Sequence, residues 1–191
     1  MKEIVLASAS PRRSRLLNQI GLDFKVIPSG IDEEANPDLG AEEFVQELAF
    51  DKASHVAEKL DTDALVIGAD TIVVKDKILG KPRDEKEAYN MLKTLQESWH
   101  SVVTGVSVVD SGTMEHAEGY EKTRVKLRSL TDDEIYSYIR SGECLDKAGS
   151  YGIQGIGAVL VERIEGCYFN VVGLPIMRLC TMLEKFGVNI L

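Results

Sequence analysis

Cysteine is scarce in this chain and carries no pattern. Cys144, Cys167 and Cys180 are odd in number and show no CxxC spacing, which excludes a disulfide framework and a thioredoxin-type or zinc-ribbon motif. They read as free thiols of a reducing cytosol, so a cytoplasmic protein is expected. The three histidines, His55, His100 and His116, are scattered with no zinc-ligand spacing. No apolar run approaches the ~20 residues that span a bilayer. Lys2 precedes a very short apolar stretch that runs into Arg12-Arg13, so a signal peptide is not expected. Positive charge is in deficit, with 22 Lys and Arg against 31 Asp and Glu and a formal net charge of −9. That balance argues against a general nucleic-acid or anionic-membrane surface. A small polyanion can still bind at a local basic site, with a divalent cation neutralising the rest. Repeats, low-complexity tracts and linkers are absent, as are a GxxxxGK[ST] loop, a GxSxG elbow and a Ser/His/Asp triad.

What remains is an ordinary globular composition, 44% hydrophobic and 28% charged over 191 residues, enough for one domain spanning 1–191, with or without two lobes. Ile4 to Ala7 form a short apolar strand, placed near 3–8, and Leu16, Leu17 and Ile20 mark a helix near 11–21. A strand near 23–28 and a polar loop from Ser29 to Gly40 lead to a long helix near 41–60. Ala64 to Ala69 is apolar throughout, as expected of a strand buried on both faces. The chain is expected to turn at Asp70-Thr71 and resume at Ile72-Val73-Val74. A turn at Ile78 to Pro82 precedes a helix near 84–97. Two β segments near 101–110 and 114–128 read as antiparallel, joined at Asp110-Ser111-Gly112. Thr131 with Glu134 three residues on is a capping-box signature for a helix near 131–141. A glycine-rich loop, Gly149 to Gly157, a strand near 158–165 and a helix near 174–187 complete the chain. Helices alternating with strands, plus an antiparallel pair, predict an α/β fold with a mixed β-sheet and flanking helices.

Chemistry concentrates in a few places. After the first strand, Ser10 stands at an N-cap position and Pro11 at the first helical position. The turn therefore gathers two hydroxyls, Ser8 and Ser10, and two guanidinium groups, Arg12 and Arg13, at a helix N-terminus, which suits a phosphate. The alternative is a plain helix start with solvated arginines. Lys52 falls inside the apolar stripe of the long helix, formed by Val45, Leu48, Ala49, Ala53, Val56 and Leu60. It either snorkels to water or lines a cleft. Asp70, at the end of a buried strand, is either a turn aspartate capping its own backbone or a carboxylate at the strand's mouth, where α/β sheets bind ligands. Arg12, Arg13, Lys52 and Lys81 supply four cations, and Glu33 and Asp70 two carboxylates. If they converge, the cations can bind a polyphosphate while Asp70 and Glu33 hold a divalent metal and activate water. A glycosidase-type carboxylate pair would leave the cations unexplained. The loop from Asp146 to Gly155 has three glycines in the seven residues 149–155, allowing close backbone approach to a ligand. Gln154 is either a turn residue or a partner for the N3–H and a carbonyl of a pyrimidine.

Five segments occur in order: Leu6-Ala7-Ser8-Ala9-Ser10-Pro11-Arg12-Arg13, Gly68-Ala69-Asp70-Thr71, Gly80-Lys81-Pro82, Asp146-Lys147-Ala148-Gly149-Ser150-Tyr151-Gly152-Ile153-Gln154-Gly155 and Val172-Gly173-Leu174-Pro175. Together they resemble the Maf family of nucleoside triphosphate pyrophosphatases from about residue 4 to about residue 186. The resemblance implies a fold related to the inosine triphosphate pyrophosphatases, two lobes around a cleft, and a homodimer. It implies hydrolysis of a nucleoside triphosphate to monophosphate and pyrophosphate with a divalent cation (Mg²⁺, Mn²⁺ or Co²⁺). Asp70 matches the family's proton acceptor. Ser8, Arg13, Glu33, Lys52 and Lys81 match its phosphate- and metal-handling positions, and Arg12, Thr71 and Gln154 those that set base preference. Arg12 and the Tyr-Gly-Ile-Gln loop resemble the dTTP/UTP branch rather than the 7-methyl-GTP branch. A nucleotide-binding regulator of septum formation is the alternative from another class, and a pyrophosphatase for 7-methyl-GTP or other non-standard purine nucleotides the alternative among enzymes.

Overall fold

A computed structural model describes residues 2–31 and 39–191. Among these, the sheet has seven strands in the order β2-β1-β3-β5-β6-β7, with β4 paired to β3. The chain divides into two compact units that are discontinuous in sequence. The first comprises Met1–Asp70, Thr104–Glu121 and Gly173–Leu191, and the second Thr71–Val103 and Lys122–Val172.

In the first unit, β1 (Glu3–Leu6) is followed by α1 (Pro11–Gln19) and β2 (Lys25–Val26). Strand β1 pairs in parallel with β2 and with β3, which runs over Ala64–Lys75; Val5 faces Lys25 on one side and Val66 on the other. Parallel pairing buries both faces, and β3 is accordingly buried from Ala64 through Asp70. Helix α2 (Ala41–Ala57) lies across these strands. Its Ala53, Val56 and Ala57 share a core cluster with Val5, Ala7, Ala64, Val66 and Val109. Two glycines make that approach possible. A Cβ on Gly68 would stand 2.0 Å from the Ala49 carbonyl oxygen, and one on Gly105 1.9 Å from that of Val45. The first unit thus presses its longest helix onto bare backbone.

In the second unit, the latter part of β3 pairs antiparallel with β4 (Lys77–Leu79), Val73 facing Leu79. Helix α3 (Glu85–Leu95) starts at Asp84, whose side chain accepts the Glu87 N–H at 2.7 Å. Strands β5 (Trp99–Asp110) and β6 (His116–Leu127) are long neighbours that contribute to both units. Their turn closes through the Asp110 N–H donating to the Glu115 carbonyl at 2.9 Å. Helix α4 (Asp132–Arg140) carries the expected capping box between Thr131 and Glu134. Strand β7 (Val161–Glu165) lies antiparallel to β6, and α5 (Tyr168–Val172) precedes α6 (Ile176–Lys185), which returns to the first unit. Leu92, Leu95, Leu127, Ile135 and Tyr138 anchor this unit's core.

The expected mixed sheet with flanking helices is present, but several boundaries differ. Strand β3 does not turn at Asp70-Thr71; it continues to Lys75 because the β-branched run Thr71 to Val74 favours extension and Asp70 has a buried partner. The strand expected near 158–165 starts only at Val161. Gly155–Leu160 is instead a 3₁₀ segment. Its Val159 carbonyl accepts from Arg128 Nε at 2.8 Å and its Leu160 carbonyl from the Arg128 N–H at 3.0 Å. The strand near 23–28 shrinks to the exposed pair Lys25–Val26. The closing helix begins at Ile176, and the short α5 before it had no signal in the sequence. Among the described residues no helix is long and apolar enough to cross a membrane.

His100, on β5, is 4% exposed, with Nε2 2.6 Å from the Tyr151 hydroxyl. Burial first, and the Lys75 charge second, lower its pKa from 6.5 to about 4. A folded value below the unfolded one means stability is complete above pH 6.5 and falls as the pH drops towards 4. Across that window only the unfolded chain takes up the proton. The loss amounts to ~3 kcal/mol at 1.36 kcal/mol per pH unit. Denaturant titrations at pH 7 and pH 4.5 should therefore show a larger stability difference for the parent than for His100→Asn. Parallel pH dependences in the two proteins would remove His100 as the cause.

Candidate active site

The first unit holds two constellations. At the β1–α1 turn, Ser10 occupies the N-cap and Pro11 follows at N1, but the Ser10 side chain makes no capping bond. Ser8 organises the turn instead. Its Oγ accepts the Ser10 N–H at 3.2 Å and Arg13 Nη1 at 3.0 Å. Arg13 Nε also donates to the Gly173 carbonyl at 2.8 Å, and Gly173 adopts φ +120°, a region that favours glycine. The segment Val172 to Pro175 therefore helps aim the guanidinium. Ser8 is buried, and Arg12 and Arg13 are half-buried beside the N-terminus of α1. The Ser8–Arg13 pairing supplies what an anion site needs: charged, forked donors fixed before a ligand arrives.

The second constellation is a buried ion pair. Lys52 Nζ on α2 donates to Asp70 Oδ1 on β3 at 2.6 Å. Lys52 is 4% and Asp70 6% exposed. This overturns two of the alternatives drawn from the sequence. Lys52 does not snorkel to water, and Asp70 is not a turn residue capping its own backbone. An ion pair this deep is costly to desolvate and poor as a purely stabilising device. Its place at the end of the buried stretch of β3 makes this pair the candidate for chemistry.

The second unit carries the remaining expected residues. Thr71 follows Asp70 along β3 and is half-buried; Lys81 is exposed in the turn after β4. The Gly149 N–H donates to the Gly80 carbonyl at 3.0 Å, so the Lys81 turn and the glycine-rich loop are joined. That loop is anchored at several points. A Cβ on Gly149 would meet the Val73 side chain at 2.9 Å, and Ser150 Oγ donates to Met91 Sδ at 3.1 Å. Gln154 is half-buried, with its Oε1 shielded from solvent and without a hydrogen-bond partner among the described residues. A buried acceptor left unpaired costs free energy unless a ligand donates to it. Glu33 lies outside the described residues. A surface cavity of about 620 Å³ in the first unit, lined by Lys2, Phe24 and Ile190 among others, contains none of these residues. Sequence reasoning missed Gly173 as the acceptor for Arg13, although Gly-Leu-Pro was a visible signal.

A mixed sheet flanked by helices on this topology is an α/β fold. The structure of a Ham1 protein from Coxiella burnetii superposes with a TM-score of 0.50 at 15% identity, covering 97% of this chain and 100% of that one. A likeness at that identity speaks for the fold. The family model for Maf-like proteins matches residues 3–186, and the chain belongs to the Maf family. It is 54% identical over 197 residues to the dTTP/UTP pyrophosphatase of Acetivibrio thermocellus, covering 100% of this chain and 98% of that protein. It is 50% identical over 192 residues to the dTTP/UTP pyrophosphatase of Alkaliphilus oremlandii, covering all of both.

Proposed function

We propose that this protein hydrolyses dTTP and UTP to the nucleoside monophosphate and pyrophosphate. The observation that carries this reading is the buried Lys52–Asp70 pair, 2.6 Å apart, in a chain about half identical to dTTP/UTP pyrophosphatases over its whole length. In the reaction a water oxygen bonds to phosphorus and the α–β anhydride breaks. Pyrophosphate leaves, and Asp70 takes the water's proton. Arg13, steadied by Ser8, together with Lys52 and Lys81, offsets phosphate charge, the main requirement of phosphoryl chemistry. Arg12, Thr71 and Gln154 read the base, with Gln154 Oε1 accepting the N3–H of a uracil or thymine ring.

A divalent cation, Mg²⁺, Mn²⁺ or Co²⁺, belongs to this reading. Among the described residues no three His, Cys, Asp or Glu side chains gather as a protein-built metal site. Asp70 offers a hard oxygen donor, which fits a cation held by one or two carboxylates and the substrate's phosphate oxygens, with Glu33 as the second carboxylate. When bound, such a cation neutralises phosphate charge. The three free thiols fit a cytoplasmic setting.

The test is pyrophosphate release from dTTP, UTP, CTP, GTP, ITP and 7-methyl-GTP, with and without Mg²⁺ or Mn²⁺. Metal-dependent cleavage confined mainly to dTTP and UTP is expected. Cleavage directed at another base would overturn the roles of Arg12, Thr71 and Gln154. No cleavage by folded, nucleotide-binding protein would favour a regulator. Within the same panel, Gln154→Ala should lower the preference for dTTP over CTP by about tenfold or more, because a site built to pair with an N–H discriminates through that bond. An unchanged base profile would remove Gln154 from base recognition.

A further inference from the structure

The glycine-rich loop is gripped by one short stretch of chain. Glu143 Oε1 accepts the Ile156 N–H at 3.2 Å, and Oε2 accepts the Gly157 N–H at 3.3 Å. Gly155 has φ +69°, and a Cβ there would stand 2.6 Å from Oε1 and 2.9 Å from Oε2. Only glycine lets the carboxylate sit on this turn. Four residues further on, Lys147 Nζ donates to the Glu143 carbonyl and to Asp146 Oδ1, the latter at 2.7 Å. Its methylenes lie 2.8–2.9 Å from where a Cβ on Gly152 would stand. The two glycines that bracket Ile153-Gln154 are thus each covered by a side chain from residues 143–147. Between them, Gln154 holds its unpartnered, solvent-shielded Oε1.

We propose that Glu143 is a positioning residue for base selection, its carboxylate fixing the turn that aims Gln154 at a uracil or thymine ring. The proposal rests on the reading of Gln154 given above and adds the group that sets its geometry. The carboxylate's two acceptor oxygens match two successive backbone N–H groups. A flexible Gln154 would have to be ordered again in every binding event, at an entropic cost to affinity. Glu143 touches neither the anhydride nor Asp70, so its loss acts on binding and selectivity.

The experiment is steady-state kinetics on dTTP, UTP and CTP for the parent and for Glu143→Ala, Glu143→Asp, Glu143→Gln, Gln154→Ala and the Glu143→Ala/Gln154→Ala double variant. Loss or shortening of the side chain should raise KM for dTTP and UTP about tenfold, with kcat changed by less than about threefold, since small misplacements degrade recognition steeply. Preference over CTP should fall with it. Glu143→Gln keeps the reach but offers one acceptor oxygen to two N–H groups, so its KM should fall between those of the parent and Glu143→Ala. In the Gln154→Ala background, Glu143→Ala should add less than about twofold, as expected when one residue acts through the other. If Glu143→Ala does not fold, Glu143→Asp and Glu143→Gln decide alone. Equal losses of kcat on all three bases, or additive effects in the double variant, would overturn the proposal. An inert Gln154→Ala would overturn the base-site reading and this proposal together. An active effect of Gln154→Ala with inert Glu143 variants would overturn this proposal only.

Discussion

Asp70→Asn should lower pyrophosphate release from dTTP by about a thousandfold, within the range a general base contributes, while leaving a folded protein. The substitution is nearly isosteric and keeps an oxygen that can accept from Lys52 Nζ, now 2.6 Å away. What it removes is the negative charge opposite an ammonium that is 4% exposed. Breaking a buried pair by neutralising one partner costs up to ~3 kcal/mol here, below the usual full loss because the hydrogen bond survives. At this chain length that corresponds to a fall in Tm on the order of 5–10 °C. A second variant separates chemistry from stability. Lys52→Met with Asp70→Leu replaces the pair by apolar groups of similar volume, which is often neutral or stabilising. Thermal unfolding should therefore recover in the double variant while turnover does not. Near-parent turnover in Asp70→Asn would remove Asp70 from the chemistry, and recovered activity in the double variant would make the pair a matter of packing alone.

Local rules carried the sequence reading where the physics is local. Pro11 at the first position of α1, the Thr131–Glu134 capping box and the apolar run of β3 all depend on residues a few positions apart, and all are found as expected. The failures share a cause. Asp70-Thr71 has the chemistry of a turn, but a partner 18 residues back along the chain and the β-branched run that follows keep it in a strand. Ala158 to Leu160 has the apolarity of a strand, but Arg128, about 30 residues away, binds its carbonyls and leaves it in a 3₁₀ segment. The site was legible in the same uneven way. Lys52 stood out as an anomaly in an apolar stripe, yet its periodicity could not distinguish snorkelling from a buried pair. Ser8 and Arg13 were visible as residue types, whereas the Gly173 carbonyl that orients Arg13 comes from 160 residues downstream.

Gly68→Ala should damage the first unit and the site together. The added Cβ would stand 2.0 Å from the Ala49 carbonyl oxygen, 2.9 Å from the Ala53 nitrogen and 3.0 Å from the Ala53 Cβ. The two nearest atoms are helix backbone, so no side-chain rotation relieves the clash; α2 or β3 must shift by about 1 Å or more. Such overpacking against rigid backbone costs ~3 kcal/mol or more. Helix α2 is also packed against Gly105, where an added Cβ would stand 1.9 Å from the Val45 carbonyl oxygen, so it has little room to tilt away. The consequence reaches the site directly. Lys52 lies between Ala49 and Ala53 on α2, and Asp70 is two residues from Gly68, on the same face of β3 by the period of a strand. A displaced helix draws Nζ away from Oδ1, so turnover should fall together with the urea midpoint. Gly80→Ala is the control for stability. A Cβ there meets nothing within 4 Å, and its unfolding free energy should stay within about 0.5 kcal/mol of the parent. If Gly68→Ala kept both the parent midpoint and parent turnover, the bare glycine would not be what brings Lys52 to Asp70. Loss of both would tie the Gly68-Ala69-Asp70-Thr71 motif to a single physical demand: a strand without a side chain at one point, so that a lysine can reach a carboxylate two residues on.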